Sequence, residues 1–415
     1  MVIQGNIGAA ILSVNAGCRG WRVASFATFA SSLSPMTSSR SARVHGLDTL
    51  RALAVTLVVL HHYTLFVSND DATFGWVGRI GWTGVDLFFA LSGYLIGNQI
   101  FAALRTEHGL SLKHFYARRL LRTLPNFWVV LALYFLWPAW REHAELLPLW
   151  RYLSFTQNIG LPPGTGFSHS WSLAIEEQFY LLLPALAMIA TALRWRIAMA
   201  WVAIGLVIVG GMLLRADLWS THVDGNKYGT YFYYKLIYYS SLCRLDELVA
   251  GVALALLKNR HASAWAVLTR HGNAALATGL VIIGAAFWCF LDRRYGFAVT
   301  VFGLPALGLG FGLLILSALS QRSLLRDLRI PGAASLALWS YAIYLTHRGV
   351  SALGAAWLAQ KGYGPETAPA IVVLLILSVL GGWLLYVLVE TPFMRLRERY
   401  VPSNLAKPIF SPVLR

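Results

Sequence analysis

Ten stretches of about 20 mostly apolar residues recur along the chain, and that is the length a helix needs to cross the hydrocarbon of a bilayer. They run 47–67, 82–104, 124–140, 172–193, 197–214, 236–257, 274–291, 297–319, 333–358 and 370–389. Backbone polar groups in lipid must find their partners within the segment. The expectation is therefore an all-α polytopic membrane protein with about ten transmembrane helices. With 57% hydrophobic residues, 13% charged residues and 16 Trp, the chain is too apolar for a soluble core under a polar skin.

The formal net charge of +16 could point to nucleic acid. The basic residues, however, sit in short blocks between apolar runs, as in loops that anchor membrane spans, so no nucleic-acid partner is expected. With the N-terminus in the cytoplasm, more than twice as many of the 34 Lys and Arg residues fall on the inner segments as on the outer ones. Both termini are accordingly expected inside. Arg51, Arg244 and Arg348 fall within spans instead. The cysteines Cys18, Cys243 and Cys289 have neither a paired nor a metal-like spacing, and no metal site is expected.

Residues 1–44 read as a flexible cytoplasmic tail, 45–397 as one transmembrane domain and 398–415 as a second cytoplasmic tail. The apolar run Ile7 to Val14 is short and has no basic residue before it, which makes a poor signal peptide, and Met36 offers a second start. The chain shows no internal repeat, and the longest outer loop, about 141–170, is too short for a soluble domain. Membrane lipid is the expected surrounding partner, and a homo-oligomer is left open.

Ionisable side chains inside a span are costly, and they ordinarily mark either a structural ion pair or a functional cavity. In TLRALAVTLVVLHHY (49–63), Arg51 and His62 are 11 residues apart, almost three helical turns, so both leave one stripe about 16 Å apart along the axis. His61 sits about a quarter turn aside, and His62 is favoured over it. In SHSWSLAIEEQFYLLLP (168–184), Ser172, Glu176 and Tyr180 share a second stripe at i, i+4 and i+8, while Glu177 points away. Counted from the outer surface, Glu176 and Asp86 of VDLFFALSGYLIGN (85–98) reach a depth similar to that of His62. At the opposite edge HFYARRLLRTLP (114–125) carries Arg118, Arg119 and Arg122. Ordinary anchoring explains such a cluster, yet guanidinium groups also suit phosphates.

The order of these motifs resembles the acyltransferase-3 family of polytopic membrane acyltransferases, over about 44–397. The opening Arg, ten residues, then His is carried by Arg51 and His62. GVDLFFALSGYLI, RRLLRTLP and SWSLAIEEQFYLLLP are similar to later family elements, as are RLDELVAGVALA, SYAIYLTHRGV and VETPFMRLR. One departure is Arg348, where an aromatic residue usually follows the late histidine.

The resemblance implies transfer of an acyl group, commonly acetyl, from cytoplasmic acyl-CoA to a hydroxyl of a glycan, a lipid-linked sugar or another envelope acceptor, in a bacterial inner membrane. On that reading Arg119 and Arg122 hold the CoA phosphates and Arg51 stands at the mouth of a channel. His62 is the general base on the acceptor hydroxyl or activates a relay, and Glu176 orients or charge-stabilises it. Asp86, Ser172, Tyr180, Arg244, Asp246 and His347 are candidates for the substrate cavity, with Arg244, Asp246 and His347 alternatively pairing among themselves. A covalent acyl intermediate on Ser172 or Tyr180 is left open. The competing class is a proton-coupled transporter or exporter, because intramembrane His, Glu and Asp also build proton relays.

Overall fold

A computed structural model of the chain describes residues 44–404. The tail expected before residue 44, including Ile7 to Val14 and Cys18, and residues 405–415 lie outside the described residues. The described chain is helical throughout, without strands. Its main helices are α1 (His45–Tyr63), α2 (Thr83–Ala103), α3 (Leu112–Leu136), α4 (Trp171–Ala192), α5 (Ile197–His222) and α6 (Asp246–Arg260). They are followed by α7 (Gly272–Arg293), α8 (Leu304–Leu319), α9 (Ala333–Gln360), α10 (Ala368–Leu385) and α11 (Thr391–Tyr400).

Local signals set the helix starts. The Ser111 hydroxyl accepts from the His114 amide at 3.4 Å and caps α3, and Gly332, at φ 81°, supplies the left-handed turn before α9. A proline in the first turn opens α10, where its missing N–H costs nothing.

Eight of the described helical segments, those built on α1 to α5, α7, α8 and α10, are long and apolar enough to cross a membrane. The other two of the ten expected stretches fall on α6 and α9. The stretch 236–257 is interrupted between the π-helical turn Tyr233–Tyr238 and α6, which leaves α6 only 15 residues. Helix α9 has 28 residues, but Ser340, Tyr341, Tyr344, Thr346, His347, Arg348 and Ser351 dilute the apolarity of its middle.

The fifth expected span ended at residue 214, with Arg215 in an outer loop. Instead α5 continues to His222, and Arg215 is fully buried.

Burial separates interior from lipid-facing helices. The apolar window of α8 is 72% buried, whereas that of α5 is 6% buried. Helices α2 and α6 pack backbone to backbone: a Cβ on Gly93 would run into the Leu248 carbonyl, and one on Gly251 into the Ala90 carbonyl. Small residues allow this close approach in lipid, where apolar side chains gain little by leaving the hydrocarbon. Helix α1 lies against both α2 and α9 and buries one side there, while Leu53 and Thr56 on the other side are exposed.

Candidate active site

Two cavities hold most of the candidate residues, and the larger, about 360 Å³, is lined by residues of α1, α2, α3, α4, α9 and α11 together with Leu110, Ser403 and Asn404. Five guanidinium groups reach it, from Arg51, Arg118, Arg119, Arg122 and Arg397, and Glu176 is the carboxylate among its lining residues. Their commitments differ. Arg119 lies 3.6 Å above the Tyr180 ring, and its nitrogens stand 3.6 Å from Glu176 and 3.5 Å from Glu177. Glu176 also accepts from the Tyr180 hydroxyl at 2.5 Å and the Ser92 hydroxyl at 3.3 Å. Arg118 donates to the Val401 carbonyl at 2.6 Å, and both it and Arg397 reach Glu398 at 2.7 Å. Arg51 and Arg122 form no hydrogen bond or ion pair among the described residues, so their donors are available to an anionic guest.

The smaller cavity, about 40 Å³, is lined by His61, His62, His169, Arg294, Arg348 and a set of aromatic rings. Val85 and Tyr344 line both cavities. The Tyr344 hydroxyl donates its one hydrogen to the His169 carbonyl at 2.6 Å. The Ser172 hydroxyl, also 2.6 Å from it, must then be the donor to Tyr344. Ser172 thus holds Tyr344 in place at the junction.

The histidine tautomers follow by the same reasoning. The Ile343 carbonyl lies 3.0 Å from His347 Nδ1 and can only accept, so that nitrogen carries the hydrogen and His347 Nε2 the lone pair. His62 Nδ1, 2.7 Å from His347 Nε2, must donate to it. Neutral His62 therefore keeps its lone pair on Nε2, as a base requires. His61 is fixed elsewhere, with Nδ1 donating to the Gly78 carbonyl at 2.7 Å.

His169, 2% exposed, has its ring centre 6.0 Å from that of His62 and 5.4 Å from that of His347. Its Nδ1 accepts from Arg348 at 3.4 Å, which places the hydrogen on Nε2, and that atom has no partner among the described residues. These rings do not converge on an ion: among the described residues no group of three or more His, Cys, Asp or Glu side chains is placed to hold a metal.

The segment before α4 supports this cluster from outside. Glu142 lies 2.9 Å from Arg348, accepts from the Tyr134 hydroxyl at 2.9 Å and takes the Phe167 amide at 3.3 Å. Phe167, left-handed at φ 57°, stacks on Tyr134 with ring centres 4.3 Å apart. Residues other than glycine rarely adopt that conformation, and here it turns the chain so that Ser168, His169 and Ser170 are all buried. Tyr152 donates to the Gly166 carbonyl at 3.2 Å, and burial pushes its phenol up to about 12, so it stays a neutral donor.

The structure groups the candidates differently from the depth reading. Arg51, Arg119, Arg122, Ser172, Glu176 and Tyr180 share the larger cavity, while His62 lines the smaller one and bonds His347. Glu176 lines the larger cavity and His62 the smaller one, so the two are not brought into one cavity. Asp86 pairs with Arg244, both wholly buried, and Asp246 binds Arg215 rather than Arg244. Those three candidates line neither cavity.

Several cavity residues were passed over. His169 stands in a motif quoted for its serine and glutamate, and Tyr344 is three residues before His347, on the same helical face. Arg294, beside a loop, carried no pattern.

Comparison with known proteins agrees with the architecture. The chain is 32% identical over 232 residues to the peptidoglycan O-acetyltransferase OatA of Listeria monocytogenes, covering 51% of this chain and 33% of that protein. It is 28% identical over 232 residues to the putative peptidoglycan O-acetyltransferase YrhL of Bacillus subtilis, covering 52% and 33%. A putative O-acetyltransferase of Staphylococcus aureus strain COL is 28% identical over 235 residues, covering 52% and 35%. The chain thus spans about a third of the length of these relatives. No solved structure matches it. The acyltransferase-3 family model, described as an acyltransferase domain, matches residues 44–387, nearly the whole described bundle, and the chain belongs to that family.

Proposed function

We propose that this protein is a membrane O-acyltransferase that moves an acyl group from acyl-CoA, bound in the larger cavity, to a hydroxyl of an envelope glycan or lipid-linked sugar at the smaller one. The relatives' names, which include peptidoglycan O-acetyltransferase, favour acetyl as the group and a cell-wall or similar glycan as the acceptor. The observation that carries the reading is the adjacency of two unlike cavities: one rich in guanidinium groups, the other in imidazoles, with Val85 and Tyr344 common to both. Phosphates suit the first, and a thioester arm directed past Tyr344 brings its carbonyl to the second.

His62 Nε2 is the base. As the acceptor oxygen bonds to the thioester carbonyl carbon, its proton passes to His62 Nε2. His347 holds His62 in that tautomer through the Nδ1 hydrogen and favours the imidazolium that forms. The tetrahedral oxyanion is stabilised by the unpaired Nε2–H of His169. Its collapse breaks the carbon–sulfur bond, the thiolate recovers the proton from His62, and an ester and free CoA remain. No covalent enzyme intermediate is needed, and Ser172, donating to Tyr344, has a positioning role.

The test supplies labelled acetyl-CoA and a hydroxyl-rich envelope extract to the purified chain in vesicles. Label should move onto the acceptor, and His62→Ala should lower that rate by about 10²–10⁴-fold, the usual contribution of a positioned base, with insertion and donor binding retained. A His62→Ala chain with normal transfer rejects the mechanism. Label that never leaves CoA with the unaltered chain rejects the activity and leaves transport as the reading.

A further inference from the structure

The smaller cavity has a charge problem that acyl transfer to a neutral hydroxyl does not use. Arg294 and Arg348 both line it, and none of its lining residues is Asp or Glu. Arg348 is balanced from behind by Glu142, with side-chain exposures of 2% and 6%. It also donates to the Ser168 hydroxyl at 3.0 Å and lies 3.7 Å above the Phe66 ring. Arg294 is different. Among the described residues it forms no hydrogen bond and no ion pair; its guanidinium carbon stands 5.4 Å from the Trp82 ring centre and 5.7 Å from that of Tyr295. A half-buried guanidinium held between aromatic faces, with every donor free, is ready to take an oxyanion in its fork.

The surrounding rings suggest what carries that anion. Trp82, Trp171, Tyr234, Tyr238 and Tyr239 line the same cavity, and their indole N–H groups and phenol hydroxyls suit a hydroxyl-rich guest such as a sugar. At about 40 Å³ the cavity holds little more than a hydroxyl and its neighbours, so the charge that Arg294 meets lies close to the reacting group.

We propose that the acceptor is an acidic glycoconjugate, whose carboxylate or phosphate, near the hydroxyl that is acylated, is bound by Arg294 beside the already neutralised Arg348. The word acceptor rests on the acyl-transfer reading above; the anion site itself does not.

Equilibrium dialysis of the full chain in neutral-lipid nanodiscs, against octyl β-D-glucoside, octyl β-D-glucuronide and octyl glucose 6-phosphate, tests the site without catalysis. At least one anionic probe should bind about tenfold tighter than the glucoside, the equivalent of one charge-assisted hydrogen bond. Arg294→Gln should bring that ratio close to one, and Arg294→Lys should keep part of it. The anionic probe that is preferred identifies the carboxylate or the phosphate as the group recognised. Equal binding of all three probes, or a preference that survives Arg294→Gln, overturns the proposal. The same nanodiscs given labelled acetyl-CoA separate the two readings: a preference without label transfer keeps the anion site and counts against acyl transfer, whereas transfer without any preference does the reverse.

Discussion

Arg119 and Arg122 are three residues apart on α3 and line one cavity, yet they are not equivalent. Arg119 is held by Glu176, Glu177 and the face of Tyr180. Removing it leaves two largely buried carboxylates without their cation, at a cost on the order of 3 kcal/mol. Arg119→Gln should therefore lower the thermal unfolding midpoint and the yield of inserted protein. Arg122 has no such partner, so Arg122→Gln should leave the midpoint where it is and instead raise KM for acetyl-CoA by about tenfold or more, the value of a lost charge-assisted contact to phosphate. Thermal scans and steady-state kinetics on the two variants check this together. Matching midpoints, or an unmoved KM in Arg122→Gln, would show that the phosphates lie elsewhere. The distinction was invisible in RRLLRTLP, where both arginines have the same spacing relative to the helix; only the arrival of α4 beside α3 separates them.

Helix α5 is the element most exposed to lipid, and Gly211 and Arg215 are its buried residues. Arg215 reaches Asp246 at 2.6 and 3.1 Å and the carbonyls of Cys243 and Val301 at 2.8 and 3.1 Å, tying α5 to α6 and to the turn before α8. Apolar contact adds little when lipid offers the same contact, so this charged group is the strongest of three polar tethers among the described residues, beside the Trp201 indole on His261 at 3.0 Å and the Trp219 indole on the Tyr295 carbonyl at 2.8 Å. Arg215→Leu removes the charged tether and strands Asp246, a loss of about 3–5 kcal/mol for a broken buried pair. The expected result is a bundle that still inserts but in which α5 separates, read as rapid protease cleavage in Val223–Tyr228. Cleavage no faster than in the unaltered chain would show that α5 is held by its other contacts. Elements like this mark how much the sequence disclosed. Periodicity within one helix was enough to align Ser172, Glu176 and Tyr180 of α4 on one cavity, whereas Arg51 and His62, placed on one stripe of α1 by the same reasoning, line different cavities. Partners on different helices were not recoverable: Asp86 with Arg244, Arg215 with Asp246 and His62 with His347 are 158, 31 and 285 residues apart. The apolar pattern alone did not fix two of the spans: α6, cut off from the π-helical turn before it, has 15 residues, and α9 is long but polar in its buried middle.

Across the whole molecule, one charge distribution serves two ends. The basic residues lining the larger cavity, Arg118, Arg122 and Arg397, are also among those that the charge pattern of the sequence assigns to cytoplasmic segments, which Lys and Arg favour. If topology and donor binding share these residues, the donor must enter from the compartment they face, and the acceptor meets His62 from the other. Sealed vesicles of known sidedness test that coupling. Labelled acetyl-CoA should be consumed only when supplied to the side on which a protease site inserted after Tyr400 is cleaved, and the acetylated product should accumulate on the opposite side. Consumption from the side facing Arg141 and Lys227, or product released where the donor entered, would mean that the two cavities do not form a passage through the bundle. The small size of the second cavity sharpens the expectation. At about 40 Å³ it is too narrow to pass a CoA nucleotide, so the pool on the wrong side should be excluded by geometry as well as by charge.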